Sequence, residues 1–280
     1  MTAIAFATCC SLAWGLADFL AGVEARRRPL TTVLALSQTA ALAAALVLAL
    51  ATAEALPPPA TLLRGLLAGV LLIIAVASFY RSLAEGMMGV VAPIMAMSAG
   101  IPVLVGLAGG DRVSALQAAG IVLCAIGAVL ATRQPPAVDE RDRGRTGGVG
   151  FAFLGMLAFG SFLVIFDDAS GEALLWSVVS TRVIAVAAVA AVIVATAAVP
   201  RVSRAEVPRI AVIGLLDILG LILFALATDS GLLSVVAVLA SLFPAVTVVL
   251  ARMVLDERLA RVQQIGIVAA MGGVAALAVA

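Results

Sequence analysis

The sequence predicts an all-α membrane protein: ten transmembrane helices arranged as two inverted five-helix repeats around a central cavity. Three observations carry this: a composition too apolar for water, ten apolar stretches of bilayer length, and an internal repeat at constant offset. Of the 280 residues, 64% are hydrophobic and 12% charged, and the mean hydropathy is +1.23. Soluble domains run at roughly 45–50% apolar and about 25% charged. Surface area shrinks too slowly with chain size to hide the excess, so the lipid bilayer is the expected solvent and partner. A net charge of +1 without a basic stripe argues against a nucleic-acid partner. The chain has no histidine, and Cys9, Cys10 and Cys124 sit in apolar runs without ligand spacing. They read as small core residues, and neither a metal site nor a cofactor is expected.

A helix needs about 20 apolar residues to cross a bilayer. The first stretch, 2–23, lacks the basic start of a signal peptide and has Arg26 to Arg28 behind it, so it reads as a retained helix. The second, 31–53, stops before Pro57 to Pro59. The third, 61–80, carries Gly65-x-x-x-Gly69, a close-contact pattern. The fourth, 87–108, is crowded with Ala92, Ala96, Ala99 and Gly100, and the fifth covers 114–132. A polar linker, 133–146, with Pro135, Pro136 and alternating charges, separates a first unit, 1–132, from a second, 147–280. The sixth and seventh stretches are 147–166 and 174–199. The eighth, 208–228, opens on Pro208, where a missing donor costs nothing. The ninth, 231–252, mirrors the fourth with Ala237, Ala240, Ser241 and Ala245, and the tenth is 259–280. The fourth and ninth are expected to pack closely, with kinks at Pro93, Pro102 and Pro244, which remove backbone hydrogen bonds.

The repeat shows in residues that are costly to match by chance. Arg64, Gly69 and Phe79 recur as Arg209, Gly214 and Phe224, and Leu12, Ala13 and Gly15 as Leu157, Ala158 and Gly160, all at an offset of 145. Gly86, Val90, Val91 and Ala92 recur as Gly231, Val235, Val236 and Ala237 at the same offset. Past one inserted residue, Arg112, Gln117, Gly120 and Gly127 match Arg258, Gln263, Gly266 and Gly273 at 146. Five is odd, so the second copy enters from the opposite side. Inverted repeats are a secondary-transporter architecture, with substrate held near the midplane.

Charges at mid-membrane cost about 2.5–3.5 kcal/mol on insertion scales and so tend to line a cavity or pair. Asp217 sits roughly 15 Å from either end of the eighth helix, too deep for its side chain to reach the surface. It reads either as a cavity carboxylate for a proton or an amine, or as a structural hydrogen-bonded group. Ser11, Trp14 and Asp18 share one helical face, and a carboxylate beside an aromatic suits a cation. The rival reading pairs Asp18 with Arg26 to Arg28. Arg182, about 12 Å into the seventh helix, could snorkel, neutralise either aspartate, or hold a substrate carboxylate. Gln38 is a weaker polar candidate in the second helix. Trp176 reads as an interfacial belt residue.

Taken together, Trp14-Gly15, the small-residue fourth and ninth helices, and Asp256-Glu257-Arg258-Leu259 running into Gln263, Gly266 and Gly273 resemble the EamA unit of the drug/metabolite transporter superfamily. The first copy carries the weaker form, Asp111-Arg112, Gln117, Gly120, Gly127. The resemblance implies ten helices, a central cavity and transport of a small metabolite or drug, usually export. The arginine common early in the family's second helix is Gln38 here and Arg182 in the second copy, while Asp18 and Asp217 match no general signature of the family.

The candidate substrate-binding residues are therefore Trp14, Asp18, Gln38, Arg182 and Asp217. The expected activity is alternating-access movement of an amino acid, an amine or a similar small molecule across a bacterial cytoplasmic membrane, with protons as a further partner. The rival classes are an intramembrane aspartic-protease-like enzyme and a non-transporting scaffold. The flanks of both aspartates lack supporting glycine-rich sequence. Every basic residue is arginine, and 14 of the 17 follow the odd-numbered helices. The positive-inside rule then puts both termini outside, whereas the family resemblance puts them inside.

Overall fold

The computed structural model describes residues 2–25, 27–85, 94–133, 148–197, 202–255 and 260–279, and every regular element in them is helical. In chain order these are α1 (Thr2–Ala25), α2 (Leu30–Ala51), α3 (Pro59–Glu85), α4 (Gly100–Ala108) behind a 3-10 turn at Met97–Ala99, α5 (Ala115–Thr132) and α6 (Gly148–Ser170). They continue with α7 (Leu174–Thr196), α8 (Val207–Asp229), α9 (Leu233–Ala240), α10 (Phe243–Leu255) and α11 (Arg261–Val279). Seven described helical paths are long and apolar enough to cross a membrane; α9 and α10 count as one of them. Three shorter apolar helices, Ile94–Ala108, Ala115–Ala131 and Arg261–Leu277, stand where the fourth, fifth and tenth stretches were expected. Most of the linker, Gly86 with Val90 to Pro93, and Asp256 to Leu259 lie outside the described residues, as do Arg26, Arg141, Arg143, Arg145 and Arg201.

The expected single ninth helix is instead two. Pro244 has no amide to offer the Ala240 carbonyl. The chain tightens there, with the Leu242 and Ala245 amides donating to carbonyls three residues back, at 3.2 and 2.9 Å. Helix starts follow local chemistry elsewhere. Ser114 and Gln117 form a reciprocal cap on α5, with bonds of 2.8 and 3.1 Å. At α11 the Ala260 amide donates to Gln263 Oε1 at 2.9 Å. The recurrent glutamine is thus a helix starter, not a ligand.

Three contacts dominate the packing: α1 on α8, α3 on α6, and α5 on α11. Next come α3 on α7, α2 on α7, α2 on α8, α1 on α10, and α4 on α9. Glycines set the closest approaches. A methyl group at Gly15 would meet Val246 and Phe243 of α10, and one at Gly160 would meet Ser98 and Ile101 at the start of α4. Gly69 lies against Thr181 and Ile184 of α7, and Gly214 against Ser37 and Ala41 of α2. Along α5 and α11, Gly120 faces Leu277 and Gly273, while Gly127 faces Ala270 and Gly266. Cys124 is fully buried in that seam, its thiol 3.7 Å from the Ala270 carbonyl. Cys10 is buried too, but Cys9 is exposed on the outer face of α1, so only two of the three cysteines are core.

Two ionic clusters tie helix ends together at opposite faces. At one face, Glu24 near the end of α1 holds Arg28 at 3.1 Å and Arg209 of α8 at 3.0 Å, and Arg28 also grips Glu206. At the other, Arg64 near the start of α3 bridges Asp168 at 2.7 Å and Glu172 at 2.9 Å at the end of α6. Glu54, after α2, accepts the Leu175 and Trp176 amides, and its own carbonyl accepts the Trp176 indole N–H at 3.0 Å.

Candidate functional site

The interior charge expected on α7 meets the one expected on α8. Arg182, 1% exposed, donates from Nη1 to Asp217 Oδ2 at 2.6 Å and to Gln38 Oε1 at 2.7 Å. The Gln38 amide donates to the same Asp217 oxygen at 3.4 Å. Three helices, α2, α7 and α8, thereby join through one guanidinium, and the close contact of α8 with α2 at Gly214 brings Asp217 and Gln38 within reach. Arg182 neutralises Asp217 and does not snorkel to a surface. Its Nε is buried without a hydrogen-bond partner.

Trp14 reaches the same point from α1. Its indole N–H donates to the Asp217 backbone carbonyl at 3.1 Å, with the ring lying over Gly220. Around it stand Phe243 at 5.9 Å, Phe224 at 6.2 Å and Phe159 at 6.4 Å between ring centres, continued by Phe162 and Phe166. Such edge and offset contacts each add about 0.5–1.5 kcal/mol beyond area burial. This aromatic plug fills the bundle toward the N-terminal end of α1.

Asp18 has a different environment. It is exposed, and among the described residues it has no hydrogen-bond or ion-pair partner. Of its expected partners Arg26 to Arg28, Arg26 lies outside the described residues and Arg28 is taken by Glu24 and Glu206. Exposure here is not toward lipid. Cys9 and Leu12 mark the outer face of α1, and Asp18 lies about 180° round the helix from Cys9 at 3.6 residues per turn. On one flank Ala17 and Trp14 pack on α8. On the other, the Gly15 carbonyl accepts the Thr247 hydroxyl of α10 at 3.0 Å. Along this inward stripe Ser11, Trp14 and Gly15 are buried, whereas Asp18, Gly22 and Ala25 are exposed, and nothing lies within 4 Å of a methyl group built at Gly22. Among the described residues this stripe of α1 is therefore exposed from Asp18 toward the end of the helix and buried from Ser11 to Gly15. Asp217 keeps 28% of its side chain exposed.

All five expected residues are placed: Trp14, Gln38, Arg182 and Asp217 form one connected set, and Asp18 faces the space beside it. Sequence reasoning missed the phenylalanines, although Phe224 had shown itself as a repeat position. It also missed the cluster at the mouth. There Arg28, with the Ser203 amide at 2.9 Å, holds the Glu206 carboxyl well below its ordinary range.

This fold and site define a polytopic helical membrane protein with an ionised, partly open interior. Residues 146–279 match the model of the EamA-like transporter family. A solved crystal structure is similar over 99% of this chain and 96% of its own, with a TM-score of 0.77 at 16% identity, a likeness of fold alone. No curated protein matches.

Proposed function

We propose that the protein is a secondary transporter that exports a small molecule by alternating access, through a cavity between two inverted five-helix repeats. One observation carries the reading: a carboxylate on the inward face of α1, open to solvent, beside the neutralised Arg182–Asp217–Gln38 cluster. A passive bundle gains nothing from a partnerless carboxylate kept at that depth. The exchange pattern of the helices supports the inverted repeat. Exchanging the halves converts the α1–α8 contact into α6–α3, and maps the fifth-helix contact, α5–α11, onto itself. It also converts Gly15 against Phe243 and Val246 into Gly160 against Ser98 and Ile101, at the 145 offset. The protease reading needs two carboxylates sharing a proton; Asp217 is committed to Arg182 instead.

The cavity opens toward the loops after odd-numbered helices, where the arginines concentrate. By the positive-inside rule that face is cytoplasmic and this is the inward-open form, in a bacterial cytoplasmic membrane. A C-terminal reporter that fluoresces only in the cytoplasm should stay dark; bright cells would reverse the orientation. The transport reading is tested in a cysteine-free background. Gly22→Cys should react with a membrane-impermeant maleimide from the arginine-rich face, and Leu12→Cys should not. A folded protein with Gly22→Cys unreactive from both faces has no such cavity, and the reading fails.

A further inference from the structure

We infer that the patch formed by the α1–α2 loop and the start of α8 binds the headgroup of an anionic phospholipid. The arginines decide it. Among the described residues there, Arg27, Arg28, Arg204 and Arg209 stand against Glu24 and Glu206, a surplus of two positive charges. Both glutamates are already paired. Glu24 is buried beneath Arg28 and Arg209, at 3.1 and 3.0 Å. Glu206 is held by Arg28 and the Ser203 amide. Arg209 gives one nitrogen to Glu24 and keeps 59% of its side chain exposed. Arg27 and Arg204 are exposed and, among the described residues, pair with nothing. They belong to one patch: Arg27 precedes the Arg28 that grips Glu206, and Arg204 stands two residues before that glutamate. The first turn of α8 carries no acid of its own, and the dipole of α8 makes its start a poor place for cations. The surplus therefore calls for a counter-charge from outside the chain.

The depth and the surroundings say which anion. Arg27 and Arg28 follow the last turn of α1, Arg204 precedes α8, and Arg209 lies in the first turn of α8. That is the headgroup level of a membrane-spanning bundle. Further down α8, Val212, Leu215 and Leu219 are exposed, and acyl chains hanging from a phosphate at Arg209 would run along them. Guanidinium groups meet phosphate oxygens as a planar fork. A soluble phosphate would find the same arginines but would leave that apolar face unused.

The repeat supplies the comparison. Arg64, the mate of Arg209 at the 145 offset, lies at the opposite face. There it is filled from both sides, by Asp168 at 2.7 Å and Glu172 at 2.9 Å. Beside it a crevice of about 300 Å³ is lined by Asp167, Asp168 and Asp229. One repeat position thus carries excess acid at one face and excess arginine at the other, and only the second invites an anion. By the positive-inside rule that second face is cytoplasmic, where the leaflet carries the anionic lipids. A phosphate there would bridge the α1–α2 loop to α8 from outside, across the same helix pair that Glu24 ties from within. Nothing in this depends on what the protein transports.

The test uses the purified full chain in neutral detergent, titrated with phosphatidylglycerol, phosphatidylcholine, glycerol phosphate or inorganic phosphate. Melting curves and native mass spectrometry of retained lipid are the readouts. Phosphatidylglycerol should be retained and should raise the melting temperature with concentration; the other three should do neither. Its effect should shrink between 0.1 and 1 M salt, as the screening length falls from about 10 to about 3 Å. Each arginine at a membrane surface strengthens such binding roughly fivefold. Arg27→Gln with Arg204→Gln should therefore weaken it at least roughly tenfold. That double variant should melt like the parent without lipid, since neither side chain holds another. Arg112→Gln, at the opposite face, should bind phosphatidylglycerol as the parent does. Undiminished binding in the double variant, or an equal loss in Arg112→Gln, overturns the site. Equal retention of phosphatidylcholine overturns the role of charge. Stabilisation by glycerol phosphate or inorganic phosphate to the same extent makes this a soluble-anion site and overturns the lipid.

Discussion

Arg182 and Asp217 meet at 2.6 Å in the interior of the bundle, with the guanidinium 1% exposed and the carboxylate 28%. Removing one partner strands the other. Arg182→Gln is expected to cost about 3–5 kcal/mol, and Asp217→Asn a comparable amount, since asparagine keeps the shape but not the charge. The double variant should recover much of the loss, because two neutral amides can bond to each other and to Gln38. Equilibrium unfolding in bicelles measures all three. Additive losses would show the pair is uncoupled.

Trp14 and Gly220 form a second coupled pair. The indole occupies the space a methyl group at position 220 would need, so Gly220→Ala should cost about 1–3 kcal/mol through overpacking. Trp14→Phe should cost about 1 kcal/mol for the lost bond to the Asp217 carbonyl. Combined, the two should cost less than their sum, since phenylalanine leaves room for the methyl. Thermal melting with tryptophan emission reads this, Trp176 remaining as the reporter in Trp14→Phe.

The α5–α11 seam tolerates no added side chain. Gly127→Val and Gly273→Val should each lower the melting temperature strongly, because the new atoms would meet Ala270 and Cys124. Gly150→Val on α6, where nothing lies within 4 Å of an added methyl group, is the matched control and should leave it nearly unchanged. Equal shifts at all three positions would mean the seam is not close-packed.

The cluster at the mouth should respond to acid. Arg28 and Ser203 lower the Glu206 carboxyl, so its contribution is complete above the ordinary carboxylate pKa of about 4.3. That contribution fades as pH falls through the lowered folded value. Glu206→Gln should therefore weaken the α1–α8 tie at neutral pH and narrow its difference from the parent protein in acid. Hydrogen exchange at the start of α8, compared at neutral pH and near pH 3, measures it. A constant difference across that range would show that the Arg28 contact contributes nothing there.

Much of this was legible because lipid is a demanding solvent. An apolar run of bilayer length leaves few alternatives to a helix, and the boundaries of α1, α2 and α8 fall within a few residues of expectation. Arg182 and Asp217 stood out because a charge in such a run needs a reason. Their bond did not, since nothing in one sequence says which way two helices face. Phe159 and Phe243 were invisible for the opposite reason: phenylalanine in an apolar helix is unremarked until Trp14 lands beside it. Arg28 was read as a partner for Asp18 and Glu24 passed unremarked; only the approach of α8 makes them a clasp with Glu206 and Arg209. Pro244 announced a bend, but not that the bend would divide the ninth path into two helices.

The seam between α5 and α11 also bears on how the chain is made. α5 leaves the ribosome with Gly120 and Gly127 on a face whose partner, α11, is encoded some 130 residues later. Until α11 is synthesised, that face must wait in the bilayer, covered by lipid or by a temporary neighbour. The first half therefore cannot mature before the second half is almost complete. A chain stopped before Arg261 would hold an unfilled groove along α5, the kind of exposed surface that membrane quality-control proteases find.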